Sequence, residues 1–516
     1  MLGASDGSGP IQIPFWDPEL PIAERVADLL ARLTPVEKAT QLLHDAPAVP
    51  RLGIPAYNWW NECLHGVARA GTATVFPQAI GLAASFDASL LSDVARAISD
   101  EARAKHHAFA AEGARGHYVG LTFWAPNINI FRDPRWGRGH ETYGECPFLT
   151  AKLGVSFVRG LQGDDSRYLK LVATAKHFAV HSGPEALRHG FDAQVSQKDL
   201  FETYLPAFFA LVQEGGVASV MTAYNRVNGE PASASATLLR RILRESWGFA
   251  GYVVSDCGAI QDIHEQHLVS AGPVESAAAA LKAGCDLNCG CSYEHLPAAL
   301  EQGLLDEAEL DLSLGRLLTA RIRLGMFDPP ERVPFAQLPF DVNDSELHRK
   351  LARRAAQASM VLLKNDGVLP LRADLTSLAV IGPNANEPRT LWASYSGTAS
   401  HTVTPLDGIR ARLPAEAKLY YAQGCKLQGT DLTTCAPHGN LTEAVLLAKR
   451  ADVTVLVLGL DAQIEGEQGD AGNSEAAGDK PDLELPGLQQ QLLEAVVAVG
   501  KPVVLVLLAG SALAVN

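Results

Sequence analysis

The chain is short of the features that mark several functional classes. Basic charge is in deficit: 43 Lys and Arg stand against 58 Asp and Glu, a net charge of −15. That balance argues against non-specific attraction to phosphate backbones or anionic lipid. Long apolar runs are missing. Stretches such as Val503–Ala509 fall far below the ~20 residues a spanning helix needs, so no nucleic-acid or membrane partner is expected. Cysteine is scarce, eight in 516 residues, too few for a disulfide scaffold and unneeded in a chain long enough to bury a full core. Cys257, Cys285, Cys289 and Cys291 cluster, but Cys-x3-Cys-x-Cys is poor zinc spacing. Buried thiols or one local disulfide are expected there ahead of metal, and Cys425 and Cys435 are candidates to close a surface loop. Met1–Pro10 has neither a basic n-region nor an apolar h-region and does not read as a signal peptide, which leaves the compartment open. A G-x-x-x-x-G-K-[ST] loop, a G-x-G-x-x-G after a strand and an H-E-x-x-H motif are all lacking. No nucleotide, metal or organic cofactor is expected.

What is present reads as a folded enzyme of about three domains, or one barrel plus a second domain. Short β-branched runs alternate with helical patterns through the first 330 residues, the signature of βα units on a parallel sheet. Strands are expected at Thr74–Leu82, Gly120–Ile130, Lys170–Ala179, Gly216–Asn225, Gly251–Ile260 and Gly284–Cys289. Helices are expected at Ala88–Ala102, Gln197–Gln213, Ala236–Glu245 and Pro273–Leu281. Polar residues repeatedly stand at strand ends: Asn127 and Asn129, Lys176 and His177, Tyr224 and Asn225, Ser255 and Asp256. In a (β/α)8 barrel that rim is where active sites are built, so the predicted fold is α/β, a TIM-like barrel over residues 1–328.

Pro329, Pro330, Pro334 and Pro339 predict an extended linker, placed at 329–344. A helix over Ser345–Ala358 opens a second region, 345–516. Its apolar runs Leu378–Ile381, Val453–Leu460 and Val503–Leu508 alternate with helical patterns at Leu441–Lys449 and Leu488–Val497, which predicts a smaller α/β sandwich. Glu465–Asp482 is an acidic, Gly-rich loop whose length suits either function or disorder. The sequence stops at Asn516 directly after a strand-like run, so this second domain is expected to be truncated.

Three constellations can carry chemistry. Asp256, at the end of the apolar strand Gly251–Val254 and followed by Gly258, suits a nucleophile or general base, or a helix cap. Lys176-His177 at a barrel rim suits contact with an anion or sugar hydroxyl, since burying an unpaired lysine is costly; a rim salt bridge is the plainer role. Pro134-Arg135-Trp136-Gly137-Arg138-Gly139 offers fixed donors and an aromatic face for a polyhydroxylated ligand.

Taken in order, Trp59-Trp60-Asn61-Glu62-Cys63-Leu64-His65-Gly66, the Asn127–Arg138 segment with Glu141, Lys176-His177-Phe178, Met221-Thr222-Ala223-Tyr224-Asn225 and Ser255-Asp256 resemble the family 3 glycoside hydrolases, in particular the bacterial β-xylosidase/β-glucosidase type. The resemblance runs from about Phe15 to the last residue. It implies a barrel followed by a sandwich, and retaining hydrolysis of a small oligosaccharide or an aryl or alkyl glycoside. Asp256 matches the nucleophile. The acid/base is implied within Leu460–Glu467, where Glu467 is favoured over Glu465 as the second glutamate of the motif. Trp60, Glu62, Arg138, Lys176, His177, Arg188 and Tyr224 match positions that hold the innermost sugar, with Trp59 and Trp60 suited to stacking on a pyranose. The resemblance leaves Gly478-Asp479-Lys480 where the family has an Asp-Arg pair. Lysine keeps the charge but not the bidentate fork, which puts the anchoring of that loop in question.

On this assignment Lys176, Arg138 and Arg188 are expected to keep Asp256 ionised, while Glu465 and Asp470 raise the pKa of Glu467 by like-charge repulsion. The resemblance places Glu62 where many relatives acting on glucosides carry the shorter aspartate, and its extra methylene favours xylose over a sugar with a hydroxymethyl group. The expected activity is a retaining exo-β-glycosidase, a β-D-xylosidase with β-glucosidase side activity. The alternatives are a β-N-acetylhexosaminidase of the wider family, whose Asp-Ser-His arrangement is not found, a Schiff-base aldolase on Lys176, and a truncated form that binds sugar without turning it over.

Overall fold

The computed structural model describes residues 13–429, 441–472 and 476–515. In the first part of the chain the apolar, fully buried strands pair in parallel, as strands covered on both faces do. Thr122–Phe123, Val172–Phe178, Ser219–Thr222 and Tyr252–Val254 lie side by side in that order. Single bridges carry the ring onward, Val254 to Leu287 and Leu43 to Asn288. It closes through the antiparallel pair Asp45–Ala46 with Tyr57–Asn58 and the bond from Trp124 N to Asn61 O, 2.8 Å. The product is a TIM-like barrel in which one closing segment runs antiparallel. Helices Ala88–Ala111, Pro147–Gln162, Pro206–Gln213, Pro273–Ala283 and Glu307–Arg323 pack outside it. Their starts are legible: Asp87 accepts from the Ser89 and Leu90 amides, and Asp306 with Glu309 forms a capping box.

Several expected elements differ. Gly284–Cys289 is reduced to single bridges at Leu287 and Asn288. Thr74–Leu82 is not a strand: Thr74 gives its N–H and hydroxyl to Glu101 (3.0 and 2.6 Å), and Gln78 caps a short helix, Ala79–Ala83. The single helix expected over Gln197–Gln213 is broken into Gln197–Asp199, a wide turn over Leu200–Tyr204 and Pro206–Gln213, because Pro206 has no N–H to continue the ladder.

The proline-rich segment is not extended. It folds into three tight turns, Pro330–Arg332, Pro334–Gln337 and Phe340–Val342, and Phe335 lies beneath the Arg103 guanidinium at 5.6 Å. The helix Glu346–Ala358, capped by Ser345, is held to the barrel by His348 Nδ1 at 2.8 Å from Glu101 Oε1.

Beyond it, four parallel strands run in the order Lys418–Ala422, Ser377–Ile381, Val453–Gly459, Val503–Leu508. Period-2 alternation separates two faces. Ala379, Ile381, Leu456 and Leu458 pack with Ala444 and Ala448 of helix Leu441–Arg450 and with Leu492 and Val496 of helix Gln489–Val497. Leu378, Val380, Val455 and Val457 pack with Leu406 of helix Pro405–Arg410 on the other. This is the α/β sandwich that follows the barrel. The strand Lys418–Ala422 was not among the expected elements.

Cys257 and Cys289 form a disulfide, which removes two thiols from the zinc set considered above. Cys285 is a buried thiol and Cys291 an exposed one. Cys435 lies outside the described residues. Among the described residues no helix is long and apolar enough to cross a membrane.

Candidate active site

The barrel rim and the sandwich meet over one cavity of about 230 Å³. Lys176 and His177 end the strand Val172–Phe178, while Tyr224 and Asp256 each follow their strands by two residues. Trp60 and Glu62 follow Tyr57–Asn58, Arg138 lies in the tight turn Gly137–Glu141, and Arg188 closes the turn Glu185–Leu187. Glu467 descends from the loop after Val453–Gly459. All nine line the cavity. Glu465 does not: its carboxylate accepts from Gly510 N at 2.8 Å and from the Ser511 hydroxyl. Trp59 is also turned away, packed edge-on against Tyr57 and Tyr252 at 5.2 Å each.

Asp256 is buried and its two oxygens differ. Oδ1 accepts from Cys257 N at 2.8 Å, whereas Oδ2 has no hydrogen-bond partner. His177 Nε2 is 3.6 Å from Oδ2, but this is no ion pair. Burial and the neighbouring cations, Arg138 first among them, push the imidazole pKa well below its ordinary value, so the ring is neutral. Its Nδ1 lies 2.9 Å from Asn129 Oδ1, an oxygen that also accepts from His177 N, so the proton is assigned to Nδ1. Nε2 is then an acceptor facing Arg138 Nη2 at 3.4 Å. Asp256 therefore lines the cavity and has one carboxylate oxygen that no group in the protein binds.

The electrostatics run opposite to those expected from sequence. Burial raises the pKa of Asp256 and outweighs Arg138, Arg188 and Lys176, which act to lower it. Glu467 is not repelled upward. Its Oε1 lies 2.6 Å from Arg188 Nη1 and 3.2 Å from Arg138 Nη1, and the Tyr395 hydroxyl donates to Oε2. Those partners outweigh burial and hold it down to about 2. Asp470, expected to repel it, pairs instead with Arg69 at 2.5 Å.

At the cavity floor Lys176 Nζ is 2.9 Å from Glu62 Oε2, both side chains almost wholly buried. Burial pushes Glu62 up to about 7 against the pull of Lys176. Arg138 is fixed by a two-pronged bond to Glu141, 2.9 Å on each arm. Arg188 stacks on the Tyr224 ring at 4.7 Å, and Trp60 stacks on Trp124 at 5.3 Å. The indole N–H groups of Trp60 and Trp124 are buried without a partner.

The loop is anchored despite Lys480. Asp479 accepts from Gly137 N (2.8 Å) and Glu185 N (2.9 Å), and Lys480 N donates to Arg135 O at 2.9 Å. Backbone amides thus hold the carboxylate where an Arg fork had been expected to matter. Sequence reasoning missed Arg69, Trp124, Tyr395 and Gln468 on the cavity wall, and gave Asp470, which also lines it, only the part of repelling Glu467. Trp124, at the end of the strand Thr122–Phe123, had the same strand-end signal as Asn127. Tyr395 had none.

A rim of cations, a bare carboxylate oxygen and a second carboxylate from another part of the chain can bind a neutral polyol and act on it from two sides. The model of the glycosyl hydrolase family 3 N terminal domain matches residues 30–320, and that of the family's C-terminal domain matches 360–516. The chain belongs to glycosyl hydrolase family 3. This family 3 chain is 45% identical over 441 residues to a xylan 1,4-beta-xylosidase of Xylanibacter ruminicola, covering 84% of the chain and 50% of that protein. It is 44% identical over 522 residues to a probable beta-D-xylosidase 7 of Arabidopsis thaliana, covering 96% and 65%. It thus spans half to about two thirds of the length of these relatives. Among solved structures it resembles a GH3 exo-beta-xylosidase in complex with a xylobiose aziridine probe (TM-score 0.88, 34% identity, 97% of this chain and 64% of that one). It also resembles a β-glucosidase from Erythrobacter marinus (TM-score 0.84, 31% identity, 96% and 73%).

Proposed function

We propose that this site belongs to a retaining exo-acting β-glycosidase, a β-D-xylosidase with β-glucosidase side activity, and that Asp256 is its nucleophile and Glu467 its acid/base. The observation that carries the reading is the bare Oδ2 of Asp256 in a cavity that Glu467 also lines. The volume, below the ~300–1,000 Å³ of drug-sized pockets, suits one sugar ring and hence removal of a terminal unit. In the first step Asp256 Oδ2 attacks the anomeric carbon, the bond to the leaving oxygen breaks, and that oxygen takes the proton of Glu467. In the second, Glu467 takes a proton from water, the resulting hydroxide equivalent attacks the same carbon, and Asp256 leaves with its charge restored.

Glu467 in the sugar-free protein is an ionised partner of Arg138 and Arg188. Those arginines are also the donors proposed for the sugar, so sugar hydroxyls take over their bonds on binding. Losing them lets the carboxyl pKa climb towards that of a proton donor. Glu62, reaching the floor beside Lys176, occupies space a hydroxymethyl group needs, which favours xylose. The proposed division is a barrel over 1–328, a linker over 329–344 and a sandwich over 345–516, with the helix Glu346–Ala358 docked back on the barrel. Hydrolysis of p-nitrophenyl β-xyloside beside the β-glucoside and α-arabinoside, with the first-formed anomer read by NMR, tests the reading. β-Xylose appearing first, with the xyloside preferred, supports it; α-xylose first, or no hydrolysis of any of the three, overturns it.

A further inference from the structure

Arg69 lies outside the strand ends and was singled out by no motif, yet it lines the cavity and joins a barrel loop to two residues that bear on Glu467. Its Nη2 is 2.5 Å from Asp470 Oδ2, its Nη1 donates to the Tyr118 hydroxyl at 3.2 Å, and its guanidinium lies over the Tyr395 ring at 4.8 Å. Its own N–H donates to Ser396 O at 3.1 Å. Two of these contacts lead to the same carboxylate. Asp470 N and Ala471 N both donate to Glu467 O, at 3.1 and 3.0 Å, so fixing Asp470 fixes the backbone of Glu467. Tyr395 donates its hydroxyl to Glu467 Oε2, so fixing the Tyr395 ring fixes the side chain.

The surroundings show what the contact is for. Both ends of the Arg69–Asp470 pair are about two-fifths exposed, and such pairs add little to folding. The segment that presents Tyr395 is stitched to the barrel independently, through Thr398 N to Gly71 O (2.9 Å), Ala73 N to Thr398 O (3.1 Å) and His65 Nε2 to Ser394 O (2.8 Å). Apart from the Arg69 N–H bond to Ser396 O, that segment has its own ties to the barrel, so what the Arg69 side chain adds is a hold on the turn after Glu467, beside the bond from Gln468 N to Glu185 Oε2 at 3.3 Å.

We propose that Arg69 is a positioning residue for Glu467, gripping its backbone through Asp470 and its carboxyl through Tyr395, so that the proton is delivered along the line of the leaving oxygen. The proposal rests on the acid/base reading of Glu467. The chemistry supplies a readout that a general loss of structure would not move. A dinitrophenolate leaves without a proton, whereas the sugar hydroxyl released from xylobiose needs one, and general acid catalysis is worth about 10²–10⁴-fold.

The experiment compares kcat/KM for xylobiose and for 2,4-dinitrophenyl β-xyloside in the wild type, Arg69→Met, Arg69→Lys, Asp470→Asn and Glu467→Ala. The xylobiose-to-dinitrophenyl ratio is expected to fall roughly ten- to a hundredfold in Arg69→Met. It falls less in Arg69→Lys, which keeps the charge but not the planar stack on Tyr395, and it falls also in Asp470→Asn, which serves if Arg69→Met does not fold. A ratio within twofold of wild type in Arg69→Met and Asp470→Asn, while Glu467→Ala collapses it, overturns the role of Arg69 alone. A ratio unchanged in Glu467→Ala overturns the acid/base reading and this proposal with it.

Discussion

Arg188 Nη1 lies 2.6 Å from Glu467 Oε1, a contact between a barrel turn and a loop 279 residues further along the chain. With Arg138 on the same oxygen, it makes the proposed acid/base a ligand of the arginines assigned to the sugar. Substrate binding is then an exchange of partners, and the account depends on the loop that carries Glu467 being seated on the barrel.

That seating is steric as well as polar. A Cβ on Gly137 would overlap the carbonyl oxygens of Gly466 and Gly478, which are backbone and cannot swing aside. Gly137→Ala is expected to lift the loop and lower kcat/KM for an aryl xyloside about a hundredfold, the cost of a misplacement of about 1 Å. Steady-state kinetics check this. A fall of less than threefold would mean that the loop is not held where it must act.

The depressed pKa of Glu467 carries a pH signature. A carboxyl held at about 2 in the folded protein, against an ordinary 4.5, contributes stability that is fully present above 4.5 and lost as pH falls towards 2. Glu467→Gln is expected to cost on the order of 3 kcal/mol at neutral pH, with the gap to wild type constant above pH 5 and narrowing below 4.5. Urea denaturation between pH 3.5 and 7 measures it. An equal gap at both ends would contradict the two-arginine grip.

Much of the barrel was legible because its strands end in polar residues that a buried strand would not otherwise carry: Lys176, His177, Tyr224 and Asp256 were placed at the rim by that pattern alone. Thr74–Leu82 was misread because its opening Thr74-Val75-Phe76 has strand composition, while Thr74 gives its hydrogen bonds to Glu101, a residue local pattern cannot reveal. The electrostatics of Glu467 were unreadable for the same reason. Its loop is acidic in sequence, but the groups that face it are Arg138, Arg188 and Tyr395, all remote in the chain, and the acidic neighbours turn elsewhere: Glu465 to Gly510 and Ser511, Asp470 to Arg69.

Sugar preference is expected to follow the reach of Glu62. Glu62→Asp withdraws the carboxylate by one methylene from the floor and lengthens its contact with Lys176, 2.9 Å in the wild type. Total activity falls, but the ratio of kcat/KM for p-nitrophenyl β-glucoside to that for the β-xyloside rises, by about tenfold and at most about two-hundredfold. Parallel assays of the two substrates check it. A ratio that stays put would move the discrimination to another wall of the cavity.

The central claim is that Asp256 Oδ2 forms the bond to the sugar, and covalent trapping tests it most directly. Incubation with an activated 2-deoxy-2-fluoro-β-xyloside, followed by intact-mass measurement and peptide mapping, is expected to show one fluoroxylosyl unit per chain, on the peptide containing Asp256. Asp256→Gly should take up none and lose at least about 10⁴-fold in kcat. A label on any other residue, or full labelling of Asp256→Gly, would contradict the account.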